Sequence, residues 1–390
     1  MTTSGARGKS SFLTSYLALF AALYGGYGAL SPFLPAYLAE RGLSPQEITT
    51  FLAAATLTRL AVGPVAGRIA DWTGRAQALL AACLALAGIS NLALLAGHGL
   101  WPIIVIGIVQ SIWTAPLAPI ADALALAAAG SGRIFEYGWV RAAGSAAFIA
   151  ATILTGFLVG IWGNSAGIWA CGTAFAAAAV FALRLRLPPR EKAGDWRMSP
   201  QIGFGALAAI PAFRRVVLAA ALVIGAHAMH DAFTVIVWRE AGISAGTAGL
   251  LWSESVAAEV LVFLWLGPRL LSWIGSPGAI ALAAIAGALR WAVQGATTWL
   301  PALAAIQVLH GLTFAALHLA CLALIERSVP DGLRATALGV YGALGLGLAS
   351  ALLTLAAGQL YGLVGIRAFW AMSALSLAAV PIALSLRGGK

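Results

Sequence analysis

The sequence predicts an all-α integral membrane fold: twelve transmembrane helices in two pseudo-symmetric six-helix bundles. Three observations predict it. Hydrophobic residues make up 61% of the 390 positions and charged residues only 9%, whereas a soluble chain carries about 25% charge on its surface. The apolar residues come in continuous stretches of about twenty, the length of a spanning helix, rather than the alternating ten-residue strands of a barrel. Finally, one hydrophilic stretch, at residues 184–215, divides the chain near its middle. In lipid every backbone polar group must find a partner within the protein, and helices meet that demand segment by segment.

Taken in order, the apolar segments fall at roughly 12–38, 46–67, 76–97, 100–128, 137–160 and 165–187, then 213–238, 244–271, 276–298, 301–326, 334–361 and 365–386. The domain reading follows: an N-terminal bundle over 1–187, a linker over 188–212 and a C-terminal bundle over 213–390. The first segment follows Arg7 and Lys9 and runs on without a small-residue cleavage site, so it is expected to be a retained helix rather than a signal peptide. Glycines of the first segment (Gly25, Gly26, Gly28) and of the eleventh (Gly339, Gly342, Gly345, Gly347) are expected to permit close helix packing.

A formal charge of +10 invites a nucleic-acid reading, but the basic residues form no single patch. They recur between apolar segments, as topology determinants do. Of the 23 Lys and Arg, Arg41, Arg239 and Arg367 fall at one face and Arg59, Arg141 and Arg290 fall inside spans; all the others collect at the opposite face. Excess Lys and Arg marks the cytoplasmic side, so both termini and the linker are expected in the cytoplasm, with the chain in the inner (cytoplasmic) membrane. Cys83, Cys171 and Cys321 sit inside apolar segments and read as small buried hydrophobes rather than a disulfide framework. No phosphate-binding loop, dinucleotide fingerprint or metalloprotease helix occurs, no metal-ligand set converges, and the loops are too short to hold an enzyme's site.

Between the second and third segments the chain reads Gly67-Arg68-Ile69-Ala70-Asp71-Trp72-Thr73-Gly74-Arg75. The placement of Gly67, Asp71, Gly74 and Arg75 suits a tight turn with a basic anchor at the headgroups. It resembles the loop signature of the major facilitator transporters. The stretch Gly267 to Gly275 is a degraded copy, with Ser272 where the acid would be, as expected of paired halves. Phe135 to Ser145 is similar to the start of the fifth helix in the lactose permease and phenylpropionic acid transporter groups. Trp252 to Val260, and Leu309 to Phe314 followed by His318, are similar to the eighth and tenth helices of the latter group. Gln307 and Thr313 stand where lactose permease has a Lys and a Glu.

Ionisable groups at membrane depth are costly, so each is a functional candidate. Counting from shared loops at about 1.5 Å per residue puts Asp122 and Arg141 at one depth, and Glu259, Arg290 and His310 at another. The resemblance implies that the Glu259, Arg290 and His310 group, with His318 nearby, exchanges the coupling proton; a desolvated carboxylate beside a guanidinium, together with an imidazole, suits that chemistry. His227 and Asp231, four apart on one helical face, are expected to line a cavity with His230, and Glu254 lies on a different face from Glu259. Arg59 and Arg141, with Asp122 pairing one of them and Tyr24, Tyr27 and Trp113 as walls, leave surplus positive charge suited to an organic anion.

The function implied is a proton-coupled symporter of a small organic solute, working by alternating access and resembling carriers of aromatic acids such as 3-phenylpropionate. It is expected to act as a monomer in the lipid bilayer, with the proton gradient in place of any cofactor and no nucleic-acid partner. Sugar, oligosaccharide or nucleoside symport, and efflux of drugs or metabolites, are the alternatives within the fold.

Overall fold

A computed structural model describes residues 3–130, 135–185, 187 and 204–388, and gives no side-chain burial for 3–11, 204 or 388. Most of the expected linker, residues 188–203, lies outside the described residues, as do Arg133, Arg186 and Lys390. All the regular structure among the described residues is helical.

The helices are α1 (Thr3–Leu30), α2 (Pro45–Thr73), α3 (Ala76–Ala96), α4 (Leu100–Gly130), α5 (Tyr137–Trp162) and α6 (Ser165–Leu183), then α7 (Pro211–Glu240), α8 (245–274), α9 (276–296), α10 (Leu300–Ser328), α11 (331–364) and α12 (Phe369–Ser385). A short helix, Leu34–Glu40, follows α1. By length and composition ten continuous apolar runs can cross a membrane among the described residues. Two of them, 245–296 and 331–385, hold 52 and 55 residues. A straight helix that long spans about 80 Å, against about 30 Å of hydrocarbon. Each turns back at a glycine with positive φ, Gly275 (70°) and Gly365 (57°), so counting both twice gives the expected twelve.

The chain divides into two compact units. The first comprises Met1–Leu43, Leu57–Trp196 and Ser244–Leu250, and the second Ser44–Thr56, Arg197–Ile243 and Leu251–Lys390. The helices α2 and α8 are thus each divided between units. Within the units the same pairings recur. In the first, α1 packs on α5 and α3 on α6; in the second, α7 packs on α11 and α9 on α12. At the α1–α5 contact Gly28 lies against the Phe148 backbone, and Thr152 Oγ1 donates to Gly28 O at 2.8 Å. At the α9–α12 contact Gly287 faces Ser376, and Ser373 Oγ donates to Ala288 O at 2.7 Å. Gly339 and Gly342 of α11, expected to pack closely, face open space, whereas Gly345 approaches Val217 of α7.

The turns repeat as well. Gly42 and Gly242 both have φ of 84°. Gly42 N donates to Ala39 O and Leu43 N to Leu38 O; likewise Gly242 N donates to Arg239 O and Ile243 N to Trp238 O. This is a helix C-terminus closed by a left-handed glycine, followed each time by a serine at the start of the next helix. The signature turn is shorter than its sequence motif: Gly67 and Asp71 lie in the last turns of α2, and only Gly74 (φ 61°) and Arg75 leave the helix. Beside it, Gln77 Nε2 donates to Ala182 O and Leu185 O at 2.9 and 3.0 Å, capping α6. Exposed apolar side chains are abundant, among them Trp72, Trp101, Trp162, Trp273 and Trp299 near helix ends, where tryptophan sits at membrane interfaces. The three cysteines are buried and free.

Candidate functional site

Membrane-depth charges gather in one cluster within each unit. In the first unit the Arg141 guanidinium (α5) lies over the Tyr24 ring (α1), 4.5 Å from its centroid. Gly144, one turn after Arg141, makes room: a Cβ there would come within 2.8 Å of Tyr24 Cδ2. Tyr27 follows one turn on, edge-on to Tyr24 at 6.0 Å and to Phe175 at 5.5 Å, and its hydroxyl donates to Thr114 O at 3.3 Å. Arg59 of α2 is close enough to Tyr27 for its charge to act on the phenol, so two of the three tyrosines of α1, Tyr24 and Tyr27, each lie near an arginine.

Asp122 and Arg141, expected to pair with each other, take different partners. Asp122 Oδ1 accepts from Tyr137 Oη at 3.0 Å, while Arg141 covers Tyr24. Depth counting places acid beside base, and the hydrogen bond to the acid comes instead from the tyrosine at the start of α5.

The second unit holds a denser arrangement. Arg290 (α9) is fully buried. Its Nη1 donates to His310 Nδ1 at 2.9 Å, and its Nη2 donates to Gln307 Oε1 at 2.9 Å and to His230 Nε2 at 3.4 Å. Its guanidinium also lies 4.5 Å from the Trp291 ring centroid. His310 Nε2 is 3.5 Å from Glu259 Oε2, and His230 Nδ1 is 3.1 Å from Asp231 Oδ1.

Arginine has donors only. Each histidine that accepts from Arg290 on one ring nitrogen therefore carries its proton on the other, aimed at a carboxylate. The result is one chain, Asp231–His230–Arg290–His310–Glu259, with a guanidinium at its centre and an acid at each end. The central group is sealed, whereas 62% of the Asp231 side chain and 23% of Glu259 are accessible.

Local sequence explains this meeting. A Cβ on Gly311 would come within 2.6 Å of Ala258 O and 2.7 Å of Val262 Cγ2. That close approach of α10 to α8 brings the neighbouring residues, His310 and Glu259, together. Just beyond, the helices widen into π-helical segments at Val262–Leu266, Gly311–Ala316 and Tyr341–Leu348, a feature frequent at functional sites.

His227 lines a cavity with Asp231 and His230, while its ring nitrogens bond elsewhere. Its Nδ1 lies 3.0 Å from Val223 O and its Nε2 3.0 Å from Thr313 Oγ1. A backbone carbonyl only accepts, so Nδ1 holds a proton. His318 stands two turns along α10 from His310, with Phe314 stacked between them, and its Nδ1 is 3.0 Å from Tyr341 Oη. It does not join the Arg290 chain.

A cavity of about 220 Å³ opens beside that chain. Its walls include Asp231, His230, Trp252, Ser255, His310 and Phe314, and Trp252 lies tilted on His230 with centroids 4.7 Å apart. The volume is below the roughly 300–1,000 Å³ of pockets for drug-sized ligands, as befits a small solute. Trp252 and Trp291 went unselected in the sequence because intramembrane aromatics most often serve packing. Gln307 and Thr313 stood out only as departures from lactose permease, and both contact the cluster. His230 carried a signal in its depth, which matches that of Arg290.

Repeated helix pairings, membrane-length helices and cavity-facing intramembrane charge define a multi-pass membrane transport protein. The chain belongs to the MFS_1 like family, whose model matches residues 13–372, and is a transporter of the major facilitator type, not an enzyme. It is 34% identical over 372 residues to the probable 3-phenylpropionic acid transporter of Escherichia coli (strain K12), covering 94% of this chain and 96% of the relative. It is 28% identical over 359 residues to the maltose permease of Geobacillus stearothermophilus, covering 90% and 87%. The crystal structure of the nucleoside transporter NupG shares the fold with a TM-score of 0.82 at 16% identity, covering 97% of this chain and 99% of that one. That of the D-xylose-proton symporter does so with a TM-score of 0.67 at 16% identity, covering 97% and 98%.

Proposed function

We propose that the protein is a proton-coupled symporter of a small aromatic carboxylic acid, with 3-phenylpropionate as the test substrate. The observation that carries this reading is the Asp231–His230–Arg290–His310–Glu259 chain. When Glu259 takes up a proton it loses its hold on the His310 Nε2 proton, and the imidazole is freed to turn. If His310 itself gains a proton, its Nδ1 no longer accepts from Arg290, and the guanidinium is left to its His230 and Gln307 bonds. Protonation at one acid is thereby felt at the other, and Asp231 faces the cavity. The carboxylate of the solute is assigned to Arg141 and Arg59, with Tyr24 and Tyr27 beside them. The relative named for 3-phenylpropionic acid supports the substrate class.

The proton gradient drives accumulation in this scheme, the carrier works as a monomer by alternating access, and both termini and the linker face the cytoplasm of the inner membrane. Uptake of radiolabelled 3-phenylpropionate into proteoliposomes, with and without an inward proton gradient, tests it. Gradient-dependent accumulation is the expected outcome; equal uptake under both conditions removes proton coupling.

Asp231 favours a second reading. A carboxylate opening on a cavity beside Trp252 and Ser255 repels an anion but accepts hydrogen bonds from hydroxyl groups. A sugar or nucleoside, as carried by the maltose permease and NupG relatives, would use that wall. Competition of unlabelled maltose or uridine with the labelled acid separates the two, and export against the gradient in the same vesicles would indicate efflux.

A further inference from the structure

The second unit contains a run of buried polar atoms without protein partners. It comprises Thr234 Oγ1 and Trp238 Nε1 on α7, Arg290 Nε and both amide atoms of Gln294 on α9, and Gln307 Nε2 on α10, while Trp291 Nε1, Arg334 Nε and Ser376 Oγ of the same unit lie off it. All five residues of the run are at most 1% exposed. Each such atom left bare forfeits the bonds to water it has in the unfolded chain, and so many together would consume much of a protein's net stability. Buried groups of this kind are satisfied by ordered water.

The positions share a direction. His230, Thr234 and Trp238 are spaced four apart and so follow one face of α7. Arg290 and Gln294 do the same on α9, and Arg290 contacts both His230 and Gln307. Gln307 precedes His310 on α10, which starts after the short 297–299 turn where α9 ends. From the Arg290 level, every one of these groups therefore lies toward the same end of the unit, where the 241–244 and 297–299 turns are. The apolar residues of those helices, such as Phe233, Met229 and Trp291, belong to a separate hydrophobic cluster with Phe369 and Met372.

We propose that this track holds a file of ordered water, and that the file carries protons between the 241–244 end of the second unit and the Arg290–His230 pair, apart from the solute cavity. Hydroxyl and carboxamide groups both donate and accept, so Thr234 and Gln294 can hold water in either orientation as a proton hops along the file, while Trp238 and Arg290 Nε anchor it as donors. The charged and titratable groups at its inner terminus are Arg290, His230, His310 and, through the histidines, Asp231 and Glu259. The proposal rests on the proton-coupled reading of the site, and supplies its route.

The test has two readouts on the purified full-length carrier. In the first, brief X-ray radiolysis of bound water in the unaltered protein should oxidise buried Trp238, and Thr234→Val with Gln294→Leu should quench that labelling. Trp238 labelling as low in the unaltered protein as in the double variant overturns the water file. In the second, the same two substitutions should slow gradient-driven accumulation by about tenfold, the equivalent of one lost hydrogen bond to a charge in the transfer step. Substrate binding and gradient-free exchange should stay unchanged, and Thr234→Ser should keep the wild-type rate. Wild-type accumulation by the labelling-silent double variant overturns the proton role. Absence of gradient dependence in the unaltered carrier is a failure of the coupling reading itself, recognisable because no substitution is involved, and the route falls with it.

Discussion

In the first unit Arg141 lies exposed over the face of Tyr24; in the second Arg290 is fully buried with three side-chain partners and a tryptophan face. The two arginines occupy helices of similar length, but their surroundings differ in kind. Arg141 has a single aromatic ring for company and donors left to offer. Arg290 has both terminal nitrogens committed, each to a group that is itself held by another. A guanidinium of the first sort suits a ligand that comes and goes, and one of the second suits the transmission of a change between fixed neighbours. Single-residue substitutions can break or sharpen that contrast.

The largest effect is expected from Arg290→Met. Removing one member of a buried charged network typically costs about 3–5 kcal/mol, so the variant should melt at lower temperature in detergent and lose gradient-driven accumulation altogether. Arg290→Lys, a point charge without the planar fork, should fold better yet fail to restore coupling. A variant with normal accumulation would place Arg290 outside the coupling chain.

Next comes the contrast of two glycines. Gly311→Ala pushes a methyl group onto Ala258 O, a backbone atom, whereas Gly144→Ala pushes one onto the ring edge of Tyr24, which can swing away. Overpacking costs about 1–3 kcal/mol where neighbours cannot yield, so thermal melts should rank Gly311→Ala well below Gly144→Ala. The former should impair coupling and the latter substrate affinity. Equal melts would show that α8 and α10 can part without penalty.

Glu259→Gln keeps the shape of one end of the chain and removes its charge. We expect exchange of labelled for unlabelled solute to survive while accumulation driven by a pH gradient is lost. Intact accumulation would remove Glu259 from the coupling role.

Arg141→Ala should raise the Kd for 3-phenylpropionate by about 10–100-fold, the equivalent of a charge-assisted hydrogen bond, with little change in melting temperature. The smallest effect is that of Tyr137→Phe. It deletes one hydrogen bond to Asp122, worth about 1 kcal/mol, and should shift affinity only severalfold. Isothermal titration on the detergent-solubilised protein measures both.

The fold was legible because lipid leaves so few choices. Length, composition and charge segregation lead to helices and to their number, and the degraded copy of the Gly67–Arg75 motif marks the repeat. The meeting of Glu259, Arg290 and His310 was legible for a related reason: helices in a bilayer run roughly parallel, so counting residues from a shared turn measures depth. Depth is not azimuth, however. Counting put Asp122 level with Arg141 but could not show that Asp122 bonds to Tyr137, and helical spacing put His227 and Asp231 on one cavity wall without showing that Asp231 bonds to His230. Gln307, Thr313 and Trp252 carry no charge, so the cost of burial that singles out arginine or glutamate raised no flag at them. The π-helical segments have no sequence signature in this chain.

The three buried thiols bear on how the carrier can be studied. Cys83, Cys171 and Cys321 are all free and all enclosed by packed helices, so maleimides and spin-label reagents should meet a nearly silent background in the native chain. A single cysteine placed at the 241–244 turn or near residue 298 would then report solvent access by its labelling rate, without the three replacements that so often weaken a membrane protein before the first measurement.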